Sequence, residues 1–308
     1  MILVGDIGGT NTRLALASVE DGAIRLTAQH NYPTQADLPA LLQGYLAGCG
    51  ASVSAVALCG AGPVRPDGSI ALTNHACTLL PATIALAAGT TRVTLVNDFE
   101  AVGHAVAVLR PCDLRSCGGG GADMSAPCIV IGAGTGLGMA TVLPVPGGWR
   151  VLPGEGGHAD LAPVDDEELQ AWHVLRARYG RISAETVLAG PGLEKLVRAL
   201  GAPEPLAAPQ VAEAAAAGHR QAQTALRLWT RWLGRVAGNA ALTLGARGGV
   251  YIAGGIVPAL GEWFSIETFR AGFEDKAPFS AWLAAIPAWI VTCPDPALLG
   301  LAALAASR

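Results

Sequence analysis

The sequence predicts an α/β protein built from two related halves, and three observations lead there. Short β-branched strands alternate with helical stretches. A chain of 308 residues suits about two domains of ~100–200 residues each. A strand, a glycine turn and a returning strand open the chain and recur after residue 128, and an internal repeat governs the fold.

The elements follow in order. Ile2 to Asp6 is a short apolar run ending at Gly8-Gly9, and Leu14 to Ala17 resumes it. This spacing predicts a strand, a tight turn and a second strand. Ile24 to Tyr32 predicts a third strand, broken by Pro33. Val53 to Cys59 and Val93 to Val96 suit buried parallel strands. Phe99 to Leu109 predicts a helix with Phe99, Val102, Val106 and Leu109 on one face. Arg110 to Pro127 contains Pro111 and Gly118-Gly119-Gly120-Gly121, so it reads as a loop. A domain boundary is expected at its start.

Ile129-Val130-Ile131-Gly132 followed by Gly134-Thr135-Gly136 matches Ile2-Leu3-Val4-Gly5 followed by Gly8-Gly9-Thr10. In that comparison Asp6 falls opposite Ala133. Gln210 to Leu244 predicts the longest helix. Its residues Ala222, Leu226, Trp229, Leu233, Val236 and Ala240 form a packing seam, while Arg227, Arg231 and Arg235 line another face. Gly245 is the expected helix stop. Val250 to Ala253 then predicts a strand ending at Gly254-Gly255, and Pro296 to Ala306 a final Ala/Leu helix.

Composition removes several function classes. The net charge is −4 and no basic stripe is present, so nucleic acid is not an expected partner. Only 14% of residues are charged and 51% are hydrophobic, which is unlike a disordered chain. Mean hydropathy is +0.41, yet no apolar run nears the ~20 residues of a spanning helix, and no signal-peptide pattern opens the chain. Seven scattered cysteines do not form a disulfide framework. A cytoplasmic protein with reduced thiols and no membrane partner is expected.

Motifs narrow the chemistry. Glycine lets backbone approach a phosphate closely, and successive N–H groups form an anion nest. Two such hairpins with Thr10 and Thr135 could hold a polyphosphate, with Gly254-Gly255 as a third contact near a nucleoside. The alternative is a pair of ordinary hairpin turns. A P-loop needs a lysine after glycine, and Lys195 and Lys276, the only lysines, do not follow one. No G-x-G-x-x-G dinucleotide fingerprint, G-x-S-x-G elbow or zinc-ligand spacing is present.

Asn97-Asp98 follows a strand and opens a helix. It reads both as an N-cap and as a site at a strand's carboxyl end. In Pro153-Gly154-Glu155-Gly156-Gly157-His158, glycines flank an acid and a base with little apolar company, unlike a core histidine, which points to a functional segment; a solvated turn is the alternative. Glu185 follows Ser183, an N-cap candidate, and either complements the helix dipole or binds a ligand.

With these motifs in hand, the chain resembles the bacterial glucokinases of the hexokinase/actin/Hsp70 ATPase superfamily. The resemblance is carried by Leu3-Val4-Gly5-Asp6-Ile7-Gly8-Gly9-Thr10-Asn11, Leu72-Thr73-Asn74-His75, Val96-Asn97-Asp98-Phe99 and Gly132-Ala133-Gly134-Thr135-Gly136-Leu137-Gly138. It continues through Leu152 to His158, Ser183-Ala184-Glu185, Leu188 to Gly192, Ile252 to Pro258 and Phe273-Glu274-Asp275-Lys276, in family order over almost the whole chain. Related ROK sugar kinases carry a cysteine-rich zinc motif after the histidine. Here Ala159-Asp160-Leu161 follows His158, which resembles the zinc-free branch. The glycine-rich Cys112 to Ser125 loop carries no family signal, and loop lengths within Gly201 to Pro209 are uncertain.

The resemblance implies a two-domain actin-like ATPase fold, ribonuclease H-like, with a duplicated β-hairpin phosphate-binding core and an interdomain cleft. It implies a small α/β domain, 1–109, joined by the C-terminal helix 296–308, and a large α/β domain, 110–295. Asp98 would be the base at the sugar 6-hydroxyl, with Asn97, Glu155, His158 and Glu185 on the other hydroxyls. Asp6 would face the Mg²⁺–ATP assembly, its contact with the metal being indirect. Gly8, Gly9, Thr10, Asn11, Gly134, Thr135 and Gly136 would line the phosphates, and Gly254 and Gly255 the nucleoside. The implied activity is ATP-dependent phosphorylation of glucose to glucose 6-phosphate, by a homodimer serving glycolysis. A kinase for mannose, fructose or an amino sugar is the alternative, followed by a non-catalytic sugar sensor. A repressor would need a DNA-binding extension, for which the early first turn leaves no room, and a sensor should lack Asp98. ATP and polyphosphate both suit the turns as donors.

Overall fold

Both glycine turns close antiparallel hairpins in the computed structural model, which describes residues 1–20, 23–73, 75–202 and 206–307. Asn74 of the Leu72-Thr73-Asn74-His75 segment, residues 203–205 of the Gly201 to Pro209 segment, and Arg308 of the expected C-terminal helix lie outside the described residues. The chain divides into two compact units. One comprises Met1–Arg110, Trp149–Pro153 and Cys293–Arg308; the other comprises Pro111–Gly148 and Gly154–Thr292.

The first unit begins with β1 (Ile2–Ile7), β2 (Asn11–Glu20), β3 (Ala23–Pro33), α1 (Leu38–Cys49) and β4 (Ala55–Gly60). The short pair β5 (Ile70–Ala71) and β6 (Thr78–Leu79) follows, then α2 (Pro81–Ala88), β7 (Val93–Asn97) and α3 (Asp98–Ala105). The sheet order is β3-β2-β1-β4-β7. β1 pairs antiparallel with β2 and parallel with β4, and β4 pairs parallel with β7. All six residues of β4 are buried, so it reads as a continuous apolar run. Pro33 does not break β3 but ends it, opposite Asn11; an edge strand tolerates a missing donor there. The predicted helix from Phe99 stops at Ala105 and tightens to a 3₁₀ turn over Val106–Val108. Leu3, Ile7, Leu14, Leu42, Leu58 and Ile84 meet in this unit's core.

The second unit holds β8 (Leu114–Ser116), β9 (Cys128–Ala133) and β10 (Leu137–Val145); β11 (Gly148–Gly154) follows in the chain, its Trp149–Pro153 counted with the first unit. The second unit's helices are α4 (Asp166–Tyr179), α5 (Ala184–Leu188), α6 (Gly190–Ala199), α7 (Ala208–Ala216) and α8 (Arg220–Leu244). β12 (Val250–Ala253), α9 (Ile256–Leu260), α10 (Ile266–Glu274), α11 (Ser280–Ala284) and β13 (Ala288–Val291) complete it. The sheet order is β11-β10-β9-β12-β13-β8. β9 pairs antiparallel with β10 and parallel with β12, and β12 pairs parallel with β13. β9, β10, β12 and β13 thus repeat the pairing of β1, β2, β4 and β7.

Two expectations are corrected here. The Arg110 to Pro127 segment is not all loop, because Leu114–Ser116 pairs antiparallel with β13. The helix predicted from Gln210 to Leu244 is two helices, broken where Gly218 takes φ +89°, a conformation open to glycine. The seam on α8 packs as predicted, with Trp229 and Leu233 fully buried. The arginine face meets the first turn of α4. Arg227 pairs with Glu167, and Arg231 and Arg235 reach the fully buried Glu168 at 2.8 and 2.5 Å.

The last helix, α12 (Pro296–Ala306), ends at Ala306 with Ser307 as its C-cap. It belongs to the first unit, where it packs against α3.

Candidate functional site

In the first unit, three parallel strands end side by side. Asp6 of β1 is level with Cys59 of β4, and Cys59 is level with Val96 of β7. The pleat also sets Asp6 opposite Arg13 on β2. Arg13 Nη1 lies 3.3 Å from Asp6 Oδ2, and its Nε lies 3.7 Å from Asp295 Oδ1. The Cys59 thiol donates to Asp6 Oδ1 at 3.5 Å. Burial raises the Asp6 carboxyl above the usual carboxylate range, and the charge of Arg13 brings it part of the way back.

The turn after Asp6 is braced from one side. Gly8 N–H donates to the Asn11 carbonyl at 2.9 Å, Thr34 Oγ1 donates to the Gly8 carbonyl at 2.7 Å, and Thr34 N–H donates to the Thr10 carbonyl at 2.9 Å. These bonds occupy carbonyls that would repel an anion. Gly9 sits between them.

Asn97 caps α3. Its Oδ1 accepts from Phe99 N–H at 2.9 Å and Glu100 N–H at 3.4 Å, while Nδ2 donates to the Gly62 carbonyl at 3.3 Å. Asp98 is the first helical residue, and its Oδ1 accepts from Phe99 N–H at 2.9 Å. The cap reading holds, and the pair stands at the carboxyl end of a parallel strand, where α/β sheets present ligands. A charge at Asp98 also gains from the helix N-terminus.

The second unit gathers the other predicted residues around the start of β10. Gly134 N–H donates to the Gly136 carbonyl across the turn containing Thr135, at 2.8 Å. Leu137 N–H donates to Glu185 Oε2 at 2.9 Å. A Cβ on Gly136 would lie 2.7 Å from that same oxygen, so a side chain there would displace the Glu185 carboxylate. His158 Nε2 lies 3.9 Å from Glu185 Oε1. Ser183 caps α5 through a reciprocal pair with Thr186, which aims Glu185 across to β10 rather than leaving it only to complement the helix dipole. The glycines beside His158 have a packing cause as well. A Cβ on Gly157 would sit 2.0 Å from the Leu137 carbonyl oxygen. The segment lies flat on β10 and presents Glu155 and His158 outward, both exposed.

Gly254 ends β12 with φ +89°, and a Cβ there would lie 2.4 Å from the Ala133 carbonyl oxygen. Ala253 is level with Gly132, so this third glycine turn adjoins the second hairpin. Gly255 has open space around its Cα and begins α9.

Sequence reading missed Arg13, Thr34, Cys59 and Asp295. Hairpin register alone would have paired Arg13 with Asp6. Cys59 ends an apolar run and reads as core; only the strand order reveals its two acidic neighbours.

A duplicated hairpin sheet with acids at strand ends and glycine/threonine turns defines a phosphotransferase of the actin-like ATPase class. A family model described as Glucokinase matches residues 3–308. The chain belongs to the glucokinase family. It is 40% identical over 305 residues to a glucokinase of Tolumonas auensis, covering 97% of this chain and 95% of that one. It is 43% identical over 314 residues to a glucokinase of Chromobacterium violaceum, covering 98% and 88%. Among solved structures, a glucokinase from an Antarctic psychrotroph superposes with TM-score 0.90 at 31% identity, covering 100% of this chain and 99% of that one. A Balamuthia mandrillaris glucokinase in complex with glucose gives TM-score 0.84 at 26% identity, covering 100% and 93%.

Proposed function

We propose that this protein transfers the γ-phosphoryl group of ATP to the 6-hydroxyl of D-glucose, giving glucose 6-phosphate and ADP. The observation that carries the reading is Asp98, the first residue of α3 directly after β7, two residues beyond Val96, which shares a register row with Cys59 and Asp6. Asp98 accepts the 6-hydroxyl proton as O6 bonds to the γ-phosphorus and the bond to the β–γ bridging oxygen breaks. A positioned base of this kind contributes typically ~10²–10⁴-fold.

Asn97 supplies an amide donor beside Asp98. Glu155, His158 and Glu185 bond the remaining hydroxyls, with the acids accepting and the imidazole able to do either. Gly8, Gly9, Thr10, Asn11, Gly134, Thr135 and Gly136 line the phosphates; the Gly8 and Gly134 N–H groups close the turns themselves, which leaves the donation to the Thr10 and Thr135 hydroxyls and the remaining turn N–H groups, and Gly254 and Gly255 line the nucleoside. Both residue sets serve one reaction, with 1–109 plus the C-terminal helix as one domain and 110–295 as the other.

Asp6 suits a cation that arrives with the nucleotide. It is one carboxylate, and no group of three His, Cys, Asp or Glu able to hold a metal occurs among the described residues. Mg²⁺ keeps several waters and is held through one or two carboxylates plus substrate phosphates. Bound there, it neutralises charge on the phosphates. A cytoplasmic homodimer feeding glycolysis completes the reading, on the strength of the family resemblance; no helix among the described residues is long and apolar enough to cross a membrane.

A coupled ADP-release assay over glucose, mannose, fructose and glucosamine tests the proposal. Glucose is expected to give the highest kcat/KM with ATP, and a hydroxyl mismatch to cost up to ~10⁴-fold. Polyphosphate is expected to give no comparable rate. A better hexose than glucose, or no ATP-dependent turnover, contradicts the proposal.

A further inference from the structure

The family reading gives no work to one buried group among the strand ends. Cys59 is fully buried on the central strand β4. It is level with Asp6 on one side and Val96, two residues before Asp98, on the other. Its thiol donates to Asp6 Oδ1 at 3.5 Å, while Arg13 takes Oδ2 at 3.3 Å. Each oxygen of the Asp6 carboxylate therefore has its own donor from a different neighbouring strand. Such a carboxylate cannot rotate without giving up one of them.

We propose that Cys59 is a positioning residue for the phosphate end of the reaction: its neutral thiol fixes the orientation of the Asp6 carboxylate and separates it from Asp98. This deepens the function proposed above and rests on Asp6 facing the phosphates. A thiol suits the place because it must donate without adding charge. A thiolate would be a third negative group between two acids. Burial, and then the charges of Asp6 and Asp98, push the Cys59 thiol well above its usual range, so it stays protonated and its hydrogen stays available. A weak S–H donor also holds the carboxylate without quenching its charge.

The groups facing Asp6 are Arg13 from β2, Cys59 from β4 and Asp295 from the start of α12. Loss of the thiol hydrogen bond removes a bond to the charged form, so the Asp6 carboxyl rises further. Cys59→Ala and Cys59→Ser separate donation from packing, since serine keeps a donor and alanine does not. Two readouts are needed. In ligand-free protein, ¹³C NMR of labelled aspartates should show the Asp6 titration moving to higher pH in Cys59→Ala and not in Cys59→Ser. In the assay, Cys59→Ala should raise KM for ATP by about 3- to 10-fold, the worth of one ordinary hydrogen bond. KM for glucose should stay within about twofold, and serine should restore KM for ATP. Equal behaviour of the two variants, or an unmoved Asp6 titration in the alanine variant, overturns the proposal. The NMR result does not depend on which substrate is phosphorylated. Wild-type inactivity toward glucose with a shifted Asp6 titration would thus sink the function above and leave the Cys59–Asp6 bond standing. An unshifted titration in active enzyme would sink only the positioning role.

Discussion

Asp6 carries its charge where the protein least favours it. Its carboxyl is raised by burial despite the nearby Arg13, so the folded protein holds the proton more tightly than the unfolded chain does. The contribution to stability is therefore fully present below the unfolded carboxylate range and is lost as pH rises through the folded value. At neutral pH the ionised side chain therefore costs stability. Asp6→Asn is expected to raise the melting temperature at pH 7.5, with the gain shrinking as pH falls through the raised folded value and largely gone below the unfolded range near about 4, and to weaken ATP binding. Thermal melts across that range check it; a lower melting temperature at pH 7.5 would show that the Arg13 pairing outweighs burial. Asp98 was legible in the sequence because polar letters close the run Val93 to Val96, whereas Asp6 entered only through the family resemblance. Cys59 was not, because a cysteine closing Val53 to Cys59 carries no local mark of acids that arrive from residues 6 and 98.

At the scale of elements, α12 shows how one glycine sets a contact. A Cβ on Gly300 would lie 1.9 Å from the Ala101 carbonyl oxygen and 2.7 Å from Ala105 N, so α12 and α3 touch backbone to backbone. Gly300→Ala must push the helices apart, and an overpacked contact costs about 1–3 kcal/mol. Gly44 in α1 has nothing within 4 Å of its Cβ position, and Gly44→Ala should stabilise by about 0.4–1 kcal/mol. Urea melts of the two variants are expected to shift in opposite directions; a common direction would mean that helix propensity rather than contact decides. Because α3 begins at Asp98, the first variant should also lower turnover. The helix itself was legible from Pro296 to Ala306, since its composition is local. The strand Leu114–Ser116 was hidden in a glycine-rich stretch, because three residues have no periodicity and its partner β13 lies far along the chain. The break near Gly218 was hidden for a different reason: the alanine-rich residues on both sides continue a helical pattern through it.

For the whole molecule, the repeat was the most informative reading. β1, β2, β4 and β7 in one unit and β9, β10, β12 and β13 in the other have the same pairing, as the two glycine turns foretold. The halves differ at one chemically decisive place: Asp6 has Ala133 as its counterpart. On the proposed function, one hairpin would bring a carboxylate to the phosphates and the other only backbone and hydroxyl donors, and the base for the sugar would stand elsewhere. Asp98 lies in one unit, whereas Glu155, His158 and Glu185 lie in the other. The most direct measurement is turnover of Asp98→Asn at saturating glucose and ATP, alongside its calorimetric affinity for glucose. The account predicts turnover reduced by at least about 10²-fold with glucose affinity within a few-fold of wild type. Near-native turnover would contradict it.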